Sequence, residues 1–351
     1  MNKLKIVSIL ISVLIFVISV FVLFGCAQAE EPLTFYWISR NAADPYMGAV
    51  YVGAQQKAEE LGVEVKMLDA RDDPLIQLQL IDQVITLKAD GVFMNPVEGA
   101  SVVPGIEALN EANIPVIAAE VWPKGGKCIA NITSNGELLC KKLANGMTEL
   151  LKEKYGDIPD GVILGIMGRI GDSYNDIGVK GFNEGIEPYQ QLKVVWAEGK
   201  YDPSVAFEKT SDLLTRYKDK VVGVFMRTDV MSPGVISAIE DAGYDPADMI
   251  IVSSDGQPSG LDFLREGKID IIAPEQPIAV GRLAVQFLYN YHHDGELPGP
   301  GKGIIEEEGA VWSPAVVLPS DVGPIILLNA LLIPTEISVD DPRNWGNTVT
   351  E

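Results

Sequence analysis

From Leu33 onward the chain alternates between two periodicities. Short β-branched or apolar runs, which read as strands, are followed by longer stretches whose apolar positions recur at helical spacing. Strands are predicted at Leu33–Ser39, Val63–Asp69, Gly91–Asn95 and Val116–Glu120, with helices at Tyr46–Leu61, Pro74–Lys88 and Ser101–Ala112. Gly62 stands where a helix-terminating glycine belongs, and Pro74 at a first turn that tolerates it. After Asn135 the alternation restarts. Strands are predicted at Val162–Met167, Lys193–Ala197, Val221–Met226, Ile250–Ser254 and Ile269–Ala273. The matching helices are Glu137–Lys154, Asn175–Ile186, Ser204–Tyr217, Ser232–Ala242, Gln257–Arg265 and Val280–His292. The stretch Gly299–Glu351 is rich in Pro and Gly and lacks helical period, so it predicts short strands and a return crossing. Its apolar run Ile325–Ile333 is too short to span a bilayer.

Repeated β-α units imply a parallel sheet with helices on both faces. Two such runs imply an α/β protein of two doubly wound, Rossmann-like lobes. The chain has 351 residues, and the part beyond a short leader is comfortable for two domains. In such sheets ligands bind beyond the carboxyl ends of the strands. The residues there are Arg40, Asp44, Asn95, Glu120, Arg169–Asn175, Tyr201, Arg227–Asp229, Asp255 and Glu275. Turns and caps account for some of this polarity, since Asp and Asn favour both. Its recurrence in both halves points to a site.

The leader carries a different pattern. Lys3 and Lys5 precede a run without a charged residue from Ile6 to Gly25, ending Leu23-Phe24-Gly25-Cys26. A basic segment, an apolar segment and a small residue before the break define a secretory signal peptide over residues 1–25. Leu and Gly at the third and first positions before Cys26 resemble a bacterial lipobox, which makes Cys26 the lipidated first residue of the mature chain. An uncleaved anchor and cleavage after Ala27-Gln28-Ala29 are the alternatives. All three place the rest of the chain outside the cytoplasm.

Charge and composition narrow the chemistry. With 47% hydrophobic residues the chain packs a core, and a net charge of −22 excludes nucleic acid as a partner. Neither C-x-x-C nor H-x-x-x-H spacing occurs, so no metal is expected. The only histidines are the adjacent His292 and His293, which leaves little for a His-based nucleophilic mechanism. Gly165-x-x-Gly168-x-x-Gly171 lacks the spacing of a dinucleotide loop, and no cofactor is expected. Trp37, Trp122 and Trp196 read as core residues or as stacking platforms. An oxidising compartment favours a disulfide between Cys128 and Cys140; two separate buried thiols are the alternative.

Several short motifs, in order and spacing, resemble one family. They are Asp44-Pro45-Tyr46, then Gly53-Ala54-Gln55-x-x-Ala58-x-x-Leu61-Gly62, then Asp90-Gly91-Val92 with Asn95-Pro96, and Asn113-Ile114-Pro115-Val116. Gly181-Phe182, Ala242-Gly243, Asp255-Gly256, Gly267-Lys268-Ile269, and Pro277 with Gly281 follow. From Pro32 to about Gly295 the chain is thereby identified as a member of the ribose-type periplasmic sugar-binding proteins, the substrate-binding components of ABC importers. The resemblance implies a monomer of two lobes joined by three crossings, which close on a sugar. The crossings are expected near Ser134, near Glu275, and between Gly299 and Trp312. The first lobe is then 26–134 plus 276–310, and the second 135–275 plus 311–351.

By the same resemblance Asp44 binds a ligand hydroxyl, and Tyr46 with Met47 falls where aromatics cover the sugar ring. Asn95, Tyr201 and Asp255 match a polar, a stacking and a polar ligand residue. Thr228 stands where Asn is common. Glu120 replaces an Asp, Val121 and Asp176 stand where arginines are usual, and Glu275 replaces a Gln. Arg40, Arg169 and Arg227 restore part of the lost positive charge. The expected ligand is a small neutral sugar or polyol, delivered to permease subunits of an ABC importer by a binding protein lipid-anchored at the membrane. A sensor input to a chemoreceptor, and a secreted carboxylate-pair glycosidase, are the competing readings.

Overall fold

The alternation resolves into two sheets in the computed structural model, which describes residues 32–297 and 304–348. The leader and Cys26 lie outside the described residues. In the first lobe β1 (Thr34–Ser39), β2 (Glu64–Asp69), β3 (Gly91–Met94) and β4 (Val116–Ala119) alternate with α1 (Pro45–Leu61), α2 (Pro74–Thr86) and α3 (Val103–Glu111), and β5 (Ala130–Ser134) follows. The second lobe opens with α4 (Gly136–Tyr155). It continues through β6 (Gly161–Met167), α5 (Ser173–Ile186), β7 (Leu192–Glu198), α6 (Pro203–Tyr217), β8 (Val221–Met226) and α7 (Ser232–Asp241). β9 (Ile250–Asp255), α8 (Pro258–Arg265) and β10 (Ile271–Pro274) complete its alternation. Then α9 (Pro277–His292) packs back against α1, and β11 (Ile304–Ile305), β12 (Ala315–Leu318) and β13 (Ile325–Leu328) follow.

Asp-Pro pairs set several helix starts. Asp44, Asp73 and Asp202 each accept the N–H two residues on, and a proline at the first turn supplies a preset φ. β3, β4 and β8 are buried along their whole length, as strands covered on both faces require. On one face of the first sheet, Ile81 and Val84 of α2 and Ile106 and Leu109 of α3 meet Val92 and Val116. On one face of the second, Leu143 and Met147 of α4 and Phe182 of α5 meet Phe225 and Val252. Close helix contact explains two of the family glycines. A Cβ on Gly53 would run into the backbone of Ile278, and one on Gly281 into that of Val50, so α1 and α9 touch backbone to backbone.

The first sheet has eight strands in the order β11-β12-β13-β5-β4-β3-β1-β2, and the second five in the order β10-β9-β8-β6-β7. Here the expected boundaries need correction. β13 pairs in parallel with β5, and β12 pairs antiparallel with β13, so 315–328 belong to the first lobe rather than the second. The third crossing therefore follows Leu328, after which Ile333 bridges to Ile272 of β10; it does not lie between Gly299 and Trp312. The other two crossings follow β5 and β10.

The expected disulfide is also corrected: Cys128 and Cys140 are free and buried. Cys128 packs in the first-lobe core and Cys140, on α4, in the second. The extended strand β5 separates them, carrying the chain about 16 Å, whereas a disulfide needs Cα atoms about 5.5 Å apart. Burial pushes the two thiols up to about 12 and about 11, so they stay protonated.

Candidate functional site

The carboxyl ends of the two sheets meet around a cavity of about 200 Å3. From the first lobe it is lined by Arg40 after β1, Asp44, Tyr46 and Met47 at the start of α1, Asn95 after β3, and Glu120 after β4. From the second come Arg169 after β6, Tyr174 on α5, Tyr201 after β7, Thr228 after β8, and Asp255 ending β9. Four lining residues hold a backbone that L side chains rarely adopt: φ is +57° at Asp72, +61° at Glu120, +59° at Tyr201 and +106° at Asp255. Such strain persists only where the surroundings fix it, and it clusters at functional sites.

The surroundings at Glu120 are Tyr46, whose hydroxyl donates to Oε1 at 2.5 Å, and Thr133, whose hydroxyl donates to Oε2 at 2.9 Å. Burial and the nearby Glu275 nevertheless raise the Glu120 carboxyl to about 8. At Asp255, the Gln257 amide donates to Oδ2 at 2.8 Å. Buried Asp229 fixes the following turn by accepting the N–H of Gly256 at 2.8 Å and of Gln257 at 3.2 Å. Burial, then Asp229 and Glu275, push Asp255 well above the usual carboxylate range.

Behind the cavity wall, Arg227 is fully buried. Its guanidinium lies 3.5 Å from the Tyr174 ring centroid and donates to Ser254 Oγ at 2.7 Å, Glu275 Oε1 at 3.2 Å and the Tyr174 carbonyl at 2.9 Å. The Tyr174 hydroxyl donates to the same Glu275 oxygen at 2.6 Å. A Cβ on Gly178 would run into this guanidinium, so α5 can pass over Arg227 only with glycine there.

At the cavity mouth a charged chain crosses between the lobes. Asp72 of the first lobe accepts from Arg40 at 2.8 Å and from Arg169 of the second at 3.0 Å. Arg40 also reaches Asp172 of the second lobe at 3.3 Å. The Tyr201 ring lies 5.4 Å from the Arg40 guanidinium and 5.9 Å from that of Arg169. Both lining arginines are thus engaged by carboxylates.

The structure brings Arg40, Asp44, Tyr46, Asn95, Glu120, Tyr201, Thr228 and Asp255 to one cavity. It does not bring Asp176 or Glu275 there. Asp176 is exposed on α5, because each helical residue turns about 100° and the preceding Asn175 takes the inward direction, accepting the Gly168 N–H at 2.8 Å. Glu275 neutralises Arg227 instead of facing a ligand. Trp37, stacked on Phe93, and Trp196, packed on Phe225, are core residues. Asp72 and Trp345 escaped the sequence reading. Asp72 lies in a turn, and Trp345 approaches from the far end of the chain, so no strand-end rule marks them.

Chemically the cavity is rich in acceptors. Asn95 Oδ1, Thr228 Oγ1 and Asp255 Oδ1 are buried with no hydrogen-bond partner among the described residues. Buried polar atoms left unpaired are costly, so a ligand entering here is selected for hydrogen-bonding groups. Tyr46, Tyr174 and Tyr201 add ring surface around those polar atoms. Among the described residues no group of three or more His, Cys, Asp or Glu side chains is arranged to hold a metal ion.

Two α/β lobes closing on a polar interlobe cavity define a solute-binding architecture. The chain belongs to the periplasmic binding protein domain family, which it matches over residues 35–296. It is similar to the ribose import binding protein RbsB of Haemophilus influenzae, 26% identical over 242 residues, which cover 69% of this chain and 80% of that one. It is also similar to the D-apiose import binding protein of Actinobacillus succinogenes, 28% identical over 65% of this chain and 70% of that one. Among solved structures, a galactofuranose binding protein shares the fold with a TM-score of 0.69 at 23% identity, covering 76% of this chain and 91% of that one. A carbohydrate transporter solute binding protein from Agrobacterium radiobacter, in complex with D-arabinose, does so with a TM-score of 0.70 at 21% identity, covering 77% and 91%. The family is a substrate-binding one, and no helix among the described residues is long and apolar enough to cross a membrane.

Proposed function

We propose that the protein captures a small uncharged sugar or polyol outside the cytoplasm and presents it, by lobe closure, to the permease subunits of an ABC importer. The observation that carries this reading is the interlobe cavity, where unpaired polar atoms of Asn95, Thr228 and Asp255 face ring surfaces from both lobes while both arginines are already occupied. A neutral polyhydroxy molecule, whose hydroxyls both donate and accept, supplies the missing partners without adding charge. An anion would need cations that the carboxylates Asp72 and Asp172 hold. The names of the relatives, ribose and D-apiose import binding proteins, favour the same class and the same partner.

A thermal-shift screen over pentoses, hexoses, polyols, sugar acids and sugar phosphates tests the reading, because ligand binding raises stability by mass action. Uncharged members should raise Tm most. Tighter binding of sugar phosphates or sugar acids would overturn it. For the best ligand, Asp255→Ala should weaken binding by about one to two decades in calorimetry, the cost of leaving a buried hydrogen-bond partner unsatisfied.

Lipidation of Cys26 is part of the same proposal, supported by the Leu-Phe-Gly-Cys sequence that ends the leader. Metabolic labelling with an alkyne fatty acid should tag the wild type and leave Cys26→Ala untagged and released from membranes. Equal labelling of both would reject the anchor.

A further inference from the structure

The family match ends at residue 296, yet the chain beyond it returns to the site. After β13 it crosses to the second lobe, where Ile333 and Ile272 exchange backbone hydrogen bonds at 2.8 and 2.9 Å. Arg265 of α8 then grips the tail, donating to Asp340 at 3.0 Å and to Asn347 at 2.8 Å. Buried Asn344 ties the last loop together by donating to the carbonyls of Ser338 and Val339 at 2.8 and 3.1 Å. These contacts deliver one large side chain, Trp345, which is only 3% exposed.

Trp345 does not line the cavity, but it touches two residues that do. Its Nε1–H donates to the carbonyl of Asp255 at 2.7 Å, and its ring meets the Tyr46 ring edge-on, with centroids 5.8 Å apart and planes at 85°. Asp255 belongs to the second lobe and Tyr46 to the first. The approach is close: a Cβ on Gly346 would run into the carbonyl of Gly256. Asp255 is also the lining residue with the largest positive φ, +106°. A non-glycine residue stays in such a conformation only when its surroundings fix it, here through the peptides that follow it. Its carbonyl is fixed by Trp345 and by the Glu275 N–H at 2.9 Å, and the next two N–H groups by Asp229. The backbone that carries the Asp255 side chain is therefore fixed from outside the cavity, while Gln257 of the lining holds its Oδ2.

We propose that Trp345 is a positioning residue of the ligand site, pinning the strained Asp255 backbone of one lobe and bracing the Tyr46 ring of the other. Its effect on binding runs through Asp255, and the tail beyond β13 is part of the binding machinery.

Two arms test this on the full mature chain. The first needs no ligand. In Trp345→Phe, which loses the donor and keeps an aromatic edge, amide hydrogen exchange at Gly256 and Gln257 should accelerate at least about threefold, the value of one hydrogen bond. Exchange in β6, on the same sheet, should stay unchanged. Trp345→Leu, an apolar filler without donor or edge, must show the same localised pattern if Phe melts too low to measure. No change at Gly256 and Gln257, or an equal acceleration throughout the lobe, overturns the proposal.

The second arm rests on the proposed binding function and uses D-ribose, D-apiose, D-arabinose and glycerol in calorimetry. Trp345→Phe should weaken the tightest of them about three- to tenfold, and less than about twofold once Asp255 is Ala. Equal losses in both backgrounds make Trp345 a general structural residue and overturn the proposal. If none of the four binds the wild type, that result counts against their class as ligands, and the exchange arm alone decides the role of Trp345.

Discussion

Glu120 shows how much a single environment decides. The residue follows β4 with a left-handed backbone, and burial, reinforced by Glu275, raises its carboxyl to about 8 despite bonds from Tyr46 and Thr133. The sign of the consequence follows from linkage. Between the unfolded value of about 4.5 and about 8 the folded state holds a proton that the unfolded state has lost. Glu120 thus favours folding at the acid end of that window, and its contribution is lost as pH rises, by about 1.4 kcal/mol per pH unit for one proton. Chemical denaturation from pH 5 to pH 8 should show stability falling with pH in the wild type and less steeply in Glu120→Gln. Parallel slopes would refute a protonated Glu120. Arg227 poses the opposite case, a cation with zero side-chain exposure balanced by Glu275. Arg227→Met leaves that carboxylate buried beside a thioether. Urea unfolding should register a loss of about 3–5 kcal/mol, the cost of breaking one side of a buried pair.

At the scale of elements, glycine and strand ends carry the design. Gly178 on α5 lies against the Arg227 guanidinium, so Gly178→Ala should destabilise by about 1–3 kcal/mol through overpacking. Ala at Gly171, where nothing lies within contact of a Cβ, meets no such crowding, although its positive φ still disfavours Ala. A comparison of melting curves for the two separates crowding from backbone strain. Much of this level was readable from the chain. The β-α alternation marks the strands, and the rule that ligands sit beyond strand ends picks out Arg40, Asn95, Glu120, Thr228 and Asp255 without any structure. What pattern does not carry is pairing. β5 follows a Gly- and Lys-containing loop and contains Asn131, Thr133 and Ser134, so it reads as connection rather than strand. The apolar run of β13 says that it is buried but not in which sheet, and only its ladder with β5 settles that. Asp176 fails because family position was carried over at a place where one helical step separates the inward Asn175 from solvent.

At the scale of the whole molecule the lobes are held together before any ligand is considered. Asp72 binds Arg40 of its own lobe and Arg169 of the other, while Arg40 reaches across to Asp172. Burial alone would raise the Asp72 carboxyl, yet hydrogen bonds from Arg169 and Arg40 hold it below its ordinary range. A depressed carboxylate stabilises above its unfolded value and loses that effect as pH falls through the folded one, so the latch weakens on acidification. The Asp72 pairs are partly exposed, and at about 0.2–1 kcal/mol each they bias the equilibrium without locking it. That suits a protein that must release its cargo, because a ligand shifts the lobes only by its differential contact with the closed form. Asp72→Asn removes the negative charge that both arginines share and should raise the open-to-closed ratio severalfold in ligand-free protein. Small-angle scattering should then report a larger radius of gyration than wild type at low salt, and the two should converge as ionic strength screens the wild-type pairs. Saturating the variant with ligand should restore the wild-type value, since Asn95, Thr228 and Asp255 still line the cavity. A variant indistinguishable from wild type at low salt would show that the charged chain at the mouth follows closure and does not favour it.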